Sequence, residues 1–205
     1  MRLMYRELAQ YAESATFTYV RGLAPADLVA RWGGDIATFS PRTFDDLAFT
    51  GSYGRTTAFL AVASIGDWTL AVDDRAIGVD TEMIRPLSAG TRVVSHYLQE
   101  ITGIYDFRWA EDGRIEFGFY SEDGFISGDP DPDPESGEPP TGWGVVPEAF
   151  ASILARSDAL FPDGPEINDG PVFTWTEDLT GITLTPPMLF ELPFVVGRIP
   201  VPSNA

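Results

Sequence analysis

The sequence predicts an α+β domain, with an antiparallel meander sheet of about five strands and with N- and C-terminal helices packed on one face. Between residues 57 and 120, five segments rich in β-branched and aromatic residues follow one another with short connections that favour hairpin turns. On both sides of this region, apolar residues recur at helical spacing. At 205 residues the chain is long enough for one core, so we expect a single domain over 1–205.

Three short helices and one strand are predicted before residue 50. The helix signals are apolar residues at helical spacing, Pro25 at a first turn and Gly33-Gly34 just past a helix end. The strand signal is an unbroken run of β-branched and aromatic residues. The predicted helices cover 2–12, 26–32 and 43–48, and the predicted strand covers 15–20.

The meander is predicted from five strand segments and the turn residues between them. Gly66-Asp67 and Glu111-Asp112-Gly113 have the composition of antiparallel hairpin turns. A longer stretch, 78–90, contains Pro86 and two glycines and is predicted to be a crossing loop. The five predicted strands cover 57–65, 68–73, 91–97, 103–109 and 114–120.

The C-terminal part begins with a stretch of acidic, proline, glycine and serine residues over 121–142, which predicts an extended surface loop. Helices are predicted at 147–158 and at 185–192, where Thr185 can cap the first turn. The stretch 171–180 receives no assignment.

The charge is strongly negative and unevenly distributed. The chain has 31 acidic and 13 basic residues, all of the latter arginine, for a formal net charge of −18. Residues 1–114 carry a net −4 and residues 115–205 a net −14. Such a field repels nucleic acid and anionic membranes and accelerates encounter with a basic protein, although solubility alone is the commoner use of surface charge. We therefore expect a basic protein partner, no direct nucleic-acid contact and no membrane contact.

Several classes of site are excluded by composition. Without cysteine there is no disulfide, thiolate metal site or cysteine nucleophile, and without lysine there is no P-loop lysine. The acidic run at 129–135 resembles a calcium loop in charge only, because Pro134 occupies the position that needs a flexible glycine. We expect no cofactor and no metal. With no long apolar run and no apolar start typical of a secretion signal, we expect a cytoplasmic protein.

His96 is the only imidazole, so any histidine-based chemistry must use it. The alternation of its strand places it between Val94 and Leu98 on one face, which favours a hydrogen-bonded, half-buried structural histidine. The alternative is a small hydrolase or transferase that uses carboxylates, centred on Asp80, Glu82 and His96.

Two arginines are candidates for an anion site. Arg92 and Arg108 lie on adjacent predicted strands and could hold an anion, although pairing with nearby acids is the commoner arrangement.

Four stretches resemble an uncharacterised family of small acidic actinobacterial proteins, a domain of unknown function. The resemblance implies no activity and no catalytic residue, because the family has none established. The stretches are GDWTL at 66–70, LSAGTRVVSHY at 87–97, FRWAEDG at 107–113 and LTGITLTP at 179–186.

The function that the sequence favours is non-catalytic. We expect an acidic cytoplasmic protein that binds a partner, as an immunity or inhibitor protein does with a basic nuclease-like or nucleic-acid-binding target. The expected partner-binding residues are the acids of the predicted loop, namely Glu122, Asp123, Asp129, Asp131, Asp133, Glu135 and Glu138.

Overall fold

The computed structural model of the chain describes residues 2–47, 56–99, 103–121, 124–127, 146–162 and 170–201. Within this part it has six α-helices and one antiparallel sheet of nine strands, which confirms the predicted α+β class. The prediction of about five strands is wrong. The helices are α1 (Arg2–Tyr11), α2 (Pro25–Arg31), α3 (Thr81–Leu87), α4 (Glu148–Leu160), α5 (Pro171–Thr180) and α6 (Pro186–Glu191). The strands are β1 (Ala15–Arg21), β2 (Ser40–Arg42), β3 (Thr57–Ile65), β4 (Trp68–Asp73), β5 (Arg92–Gln99), β6 (Ile104–Glu111), β7 (Arg114–Tyr120), β8 (Gly124–Ser127) and β9 (Phe194–Pro200).

The strand order is β2-β9-β3-β4-β1-β5-β6-β7-β8. Strands β5 to β8 follow one another as a meander, and β3 and β4 form a hairpin across Gly66-Asp67. At the β6–β7 turn, Asp112 and Gly113 both have positive φ, of 51° and 82°, which suits the right-handed twist of the paired strands. The simple meander is interrupted because β1 pairs with both β4 and β5.

The sheet separates two hydrophobic clusters. On the first face, Phe17, Phe107 and Phe117 belong to a cluster that also receives buried residues from α1, α4, α5 and α6. On the second face, Val20 and Val93 pack with buried residues of α2 and α3. The structure therefore differs from the predicted arrangement, in which helices occupy one face, because α2 and α3 cover the other.

Aromatic side chains dominate the cluster on the first face. The rings of Phe117 and Phe150 stack with centroids 3.9 Å apart, and Trp175 meets Phe107 edge-on at 5.3 Å. Each fully buried phenylalanine of this kind stabilises the fold by roughly 1.5–3 kcal/mol through removal of apolar surface from water. Helices α4 and α5 are thereby fixed against β6 and β7.

Two segments predicted to be loops contain regular structure. Within 78–90, α3 begins after Asp80, whose carboxylate caps the helix by accepting the N–H of Glu82 at 2.8 Å. Ile84 and Leu87, three residues apart, are buried on one side of this helix. Within the acidic stretch 121–142, Gly124–Ser127 form β8, an edge strand of the sheet. In the part of the chain that the structure describes, no helix is long and apolar enough to cross a membrane.

Candidate functional site

The seven acids expected to bind a partner lie outside the described residues. The other candidates, His96, Asp80, Glu82 and the arginines, have defined positions.

His96 lies on β5 in the middle of the first face. Its register places it between Phe17 of β1 and Phe107 of β6. The imidazole stacks on Phe17 with centroids 5.5 Å apart and meets the edge of Phe173 from α5 at 4.6 Å. The side chain is fully buried, and neither ring nitrogen has a hydrogen-bond partner among the described residues.

Burial lowers the pKa of His96 to about 3, because the charged imidazolium cannot be solvated in this apolar surrounding. The ring is therefore neutral at physiological pH. The expectation of a half-buried, hydrogen-bonded histidine is wrong, since alternation along β5 identifies its face but says nothing of the helix that covers it.

Asp80 and Glu82 lie on the other side of the sheet from His96. Asp80 is partly exposed and caps α3, and the side chain of Glu82 is exposed at the start of that helix. Helix α3 packs on the second face, whereas His96 belongs to the first. The three residues do not form one cluster.

Three buried polar residues on the second face, Asp73 of β4, Thr18 of β1 and Ser95 of β5, form what we call the polar strip. Asp73 is fully buried at the end of β4, and its carboxylate accepts the backbone N–H groups of Arg75 (2.9 Å), Ile77 (3.0 Å) and Gly78 (3.3 Å). Burial raises the pKa of Asp73 to about 6, against the opposing effect of these three donors. The carboxylate thus holds the short helical turn Ile77–Val79 against the sheet.

Gly78 fits this strip because it has no side chain. A Cβ at this position would lie 1.8 Å from Thr18 Oγ1 and 2.7 Å from Ser95 Oγ. Those two hydroxyls are themselves hydrogen-bonded at 2.9 Å. The polar strip is therefore closely packed and has a structural role.

Arg92 and Arg108 are both paired with acids. Arg92 contacts Glu111 at 3.0 Å and lies over the ring of Trp109, 5.6 Å from its centroid. Arg108 donates to Asp106 at 3.2 Å. Neither guanidinium is an unoccupied anion site by itself.

Arg92 also lines a cleft of about 400 Å³ at one end of the sheet, which we call the arginine cleft. It brings together Arg21 at the end of β1 and Arg31 at the end of α2, two residues that sequence reasoning missed. No local pattern joins them, and the only signal is that each ends a regular element. The cleft is lined by Arg21, Gly22, Leu23, Arg31, Gly90, Thr91, Arg92, Glu111 and Asp112.

Potential metal ligands are scattered across the described ranges. No group of three or more histidine, aspartate or glutamate side chains within those ranges is arranged to hold a metal ion.

Comparison with known proteins gives one match. No curated protein and no solved structure is detectably similar to the chain. A family model matches residues 5–133, which include most of α1, all of α2 and α3, and β1 to β8. Three of the four stretches noted above, 66–70, 87–97 and 107–113, fall inside the match, and 179–186 falls outside it. Because the match covers more than half of the chain, the protein belongs to the family of unknown function DUF6461.

Proposed function

We propose that this protein is a non-catalytic, acidic binding protein that recognises a basic protein partner, in the manner of an immunity or inhibitor protein against a nuclease-like or nucleic-acid-binding target. The observation that carries the proposal is the charge asymmetry, with 16 acids against two arginines over residues 115–205. A basic partner is the macromolecule that such a surface attracts most strongly.

Ion pairing within the fold does little to reduce this asymmetry. Of the two arginines, Arg156 on α4 is already engaged with Glu177 at 2.9 Å and with Asp178. Arg198 is exposed on β9. The seven acids between residues 122 and 138 have no basic residue in their own segment, so no neighbour in the sequence offsets their charge.

The buried position of His96 also supports a binding role over the hydrolase alternative. Its imidazole is neutral and enclosed by Phe17 and Phe173, and the sheet separates it from Asp80 and Glu82. A general base must reach the proton that it abstracts. No contact favours a centre built on these three residues.

The proposal is tested with the full chain as bait, first by affinity capture at low salt and then by quantitative binding to each captured protein. The expected partner is basic, and its association rate falls as salt is raised, because attraction between exposed charges is screened over about 8 Å at physiological ionic strength. Binding that is insensitive to salt would refute the proposal.

Two variants of equal charge locate the surface. In the first, the seven acids of residues 122–138 are replaced by their amides. In the matched control, seven exposed acids elsewhere are replaced in the same way, so that net charge changes equally. We expect the first variant to lose most of the affinity and the control to retain it, whereas equal affinities would refute the role of the 122–138 acids. The control positions all lie in the less acidic residues 1–114 and are Glu7, Asp27, Asp35, Asp45, Asp67, Glu82 and Asp112.

A further inference from the structure

The arginine cleft is a positively charged site in a protein of net charge −18. Three of the 13 arginines line it, from β1, α2 and β5. Whether these charges are available to a ligand depends on how each guanidinium is already used.

Arg92 lines the cleft and is already paired with an acid. Its guanidinium pairs with Glu111 at 3.0 Å and donates to the carbonyl of Leu179, at the end of α5, at 3.2 Å. It neutralises Glu111, and so removes that acid from the charge balance of the cleft.

Arg31 is fixed without being neutralised. Its Nη1 donates to the carbonyl oxygens of Leu87 at 2.8 Å and Ala89 at 3.2 Å. These acceptors carry no formal charge, so the guanidinium retains its positive charge and still has N–H groups to donate. The two bonds hold the group in place before any ligand arrives.

Arg21 has no side-chain partner in the described part of the chain, and it is exposed at the end of β1. Its main chain is held, because the hydroxyl of Thr91 donates to its carbonyl oxygen. Nearby, Gly22 and Gly90 leave open space, since a Cβ built on either has no heavy atom within 4 Å. Arg21 can therefore turn toward a ligand in the cleft without breaking an existing contact.

Of the two acids that line the cleft, only Asp112 is not paired with an arginine, and Asp27 borders Arg31 in the adjoining depression. Asp112 is exposed at the β6–β7 turn, and its side chain has no hydrogen bond or ion pair with the rest of the described chain. With Glu111 paired to Arg92, the cleft retains two free positive charges and one free negative charge, a net charge of +1.

We propose that the arginine cleft binds a small oxyanion, with Arg31 as the prepositioned donor and Arg21 as the mobile one. Guanidinium groups present paired N–H donors that match the oxygens of a phosphoryl group or a carboxylate. The two sources share this chemistry. The proposal uses none of the acids of residues 122–138 and does not depend on a protein partner.

The test is a titration of the full chain with inorganic phosphate and, separately, with acetate, at ionic strength held constant with chloride. Binding is followed by the NMR signals of the arginine Nε–H groups. We expect saturable shifts at Arg21 and Arg31. Saturation by phosphate alone assigns the site to phosphoryl groups, and saturation by acetate alone or by both anions extends it to carboxylates. Shifts no larger than those caused by chloride would overturn the proposal.

Three variants separate the site from general charge effects. Arg21→Gln removes a cation that makes no hydrogen bond or ion pair within the described chain, and we expect it to weaken binding by about tenfold. Asp112→Asn removes the opposing acid, keeps a side chain that tolerates positive φ, and is expected to tighten binding by about threefold. Arg198→Gln, on β9 and separated from β1 by β3 and β4, is the matched control and should leave binding unchanged. Equal losses in the two arginine variants would refute a localised site.

Discussion

Replacing His96 by phenylalanine tests the electrostatic consequence of burying an imidazole without a partner. In the unfolded chain the pKa of histidine is near 6.5, whereas in the folded protein burial lowers it to about 3. Between these values the unfolded chain binds one more proton than the folded protein. The free energy of unfolding therefore falls as the pH falls, and phenylalanine, which does not titrate, removes this loss.

The magnitude follows from the pKa difference. Each pH unit below 6.5 costs about 1.4 kcal/mol, so lowering the pH from about 7.5 to about 4.5 removes about 3 kcal/mol of stability at this one site. Tyr19, whose ring lies 6.3 Å from the imidazole, stays protonated throughout because burial raises its pKa. The larger ring of phenylalanine adds a packing cost of about 1–3 kcal/mol, which is the same at both pH values.

The assay is urea unfolding of both proteins near pH 7.5 and near pH 4.5, followed by tryptophan fluorescence. We expect the free energy of unfolding of His96→Phe to rise, relative to that of the original protein, by about 3 kcal/mol between the two conditions. A difference that does not change with pH would refute the reasoning, because it would mean that His96 takes up a proton in the folded state. Substitution by alanine is a poor probe, since it opens a cavity at every pH.

Three further substitutions test the contacts described above. Asp73→Asn should abolish a pH dependence of the opposite sign. Because the folded pKa of about 6 exceeds the unfolded value of 3.8, the free energy of unfolding declines by about 2 kcal/mol as the pH rises from 3.8 to 6. Urea midpoints measured across that range should show no such decline in the variant. Gly78→Ala should destabilise by about 1–3 kcal/mol, and by clearly less when Thr18→Ala removes the clashing hydroxyl; identical costs in both backgrounds would contradict the geometry. Arg156→Gln should cost about 1 kcal/mol at low salt and less in high salt, as measured by thermal unfolding, because its pairs with Glu177 and Asp178 are partly exposed; a salt-independent cost would argue against ion pairing.

The sequence predicted the parts of the fold that depend on local signals. The hairpin turns at Gly66-Asp67 and Glu111-Asp112-Gly113 were predicted from the turn-forming residues themselves. Helix α6 begins where expected, with Thr185 accepting the N–H of Met188 at 3.3 Å. In each case the residues that fix the structure are neighbours in the chain.

The elements that were missed depend on distant parts of the chain. Helix α5 shows no amphipathic pattern because every residue from Pro171 to Thr176 is buried, so helical periodicity has no polar side to reveal it. Strand β9 contains Gly197 and ends at Pro200, residues that argue against a strand, yet β2 and β3 pair with it on either side. Tertiary packing overrode the local preference in both.

The candidate sites were also predictable only where they depend on neighbouring residues in the chain. Arg92 was singled out because it lies on a predicted strand, but Arg21 and Arg31 reach the same cleft from two other elements. The face of His96 followed from alternation, while its complete enclosure required Phe173 from a helix that the sequence did not predict. Convergence of distant elements was the missing information.

The position of β9 sets the order in which the sheet can be completed during synthesis. Thr57 of β3 pairs with Pro200, so one edge of β3 stays open until the last described residues have left the ribosome. Helices α4 to α6, which cover the aromatic first face, also emerge late, after the family-matched residues 5–133. A nascent chain that ends before residue 148 thus has an unpaired edge on apolar β3 and, of the helices on the aromatic first face, only α1. This combination is one on which general chaperones act and from which aggregates grow.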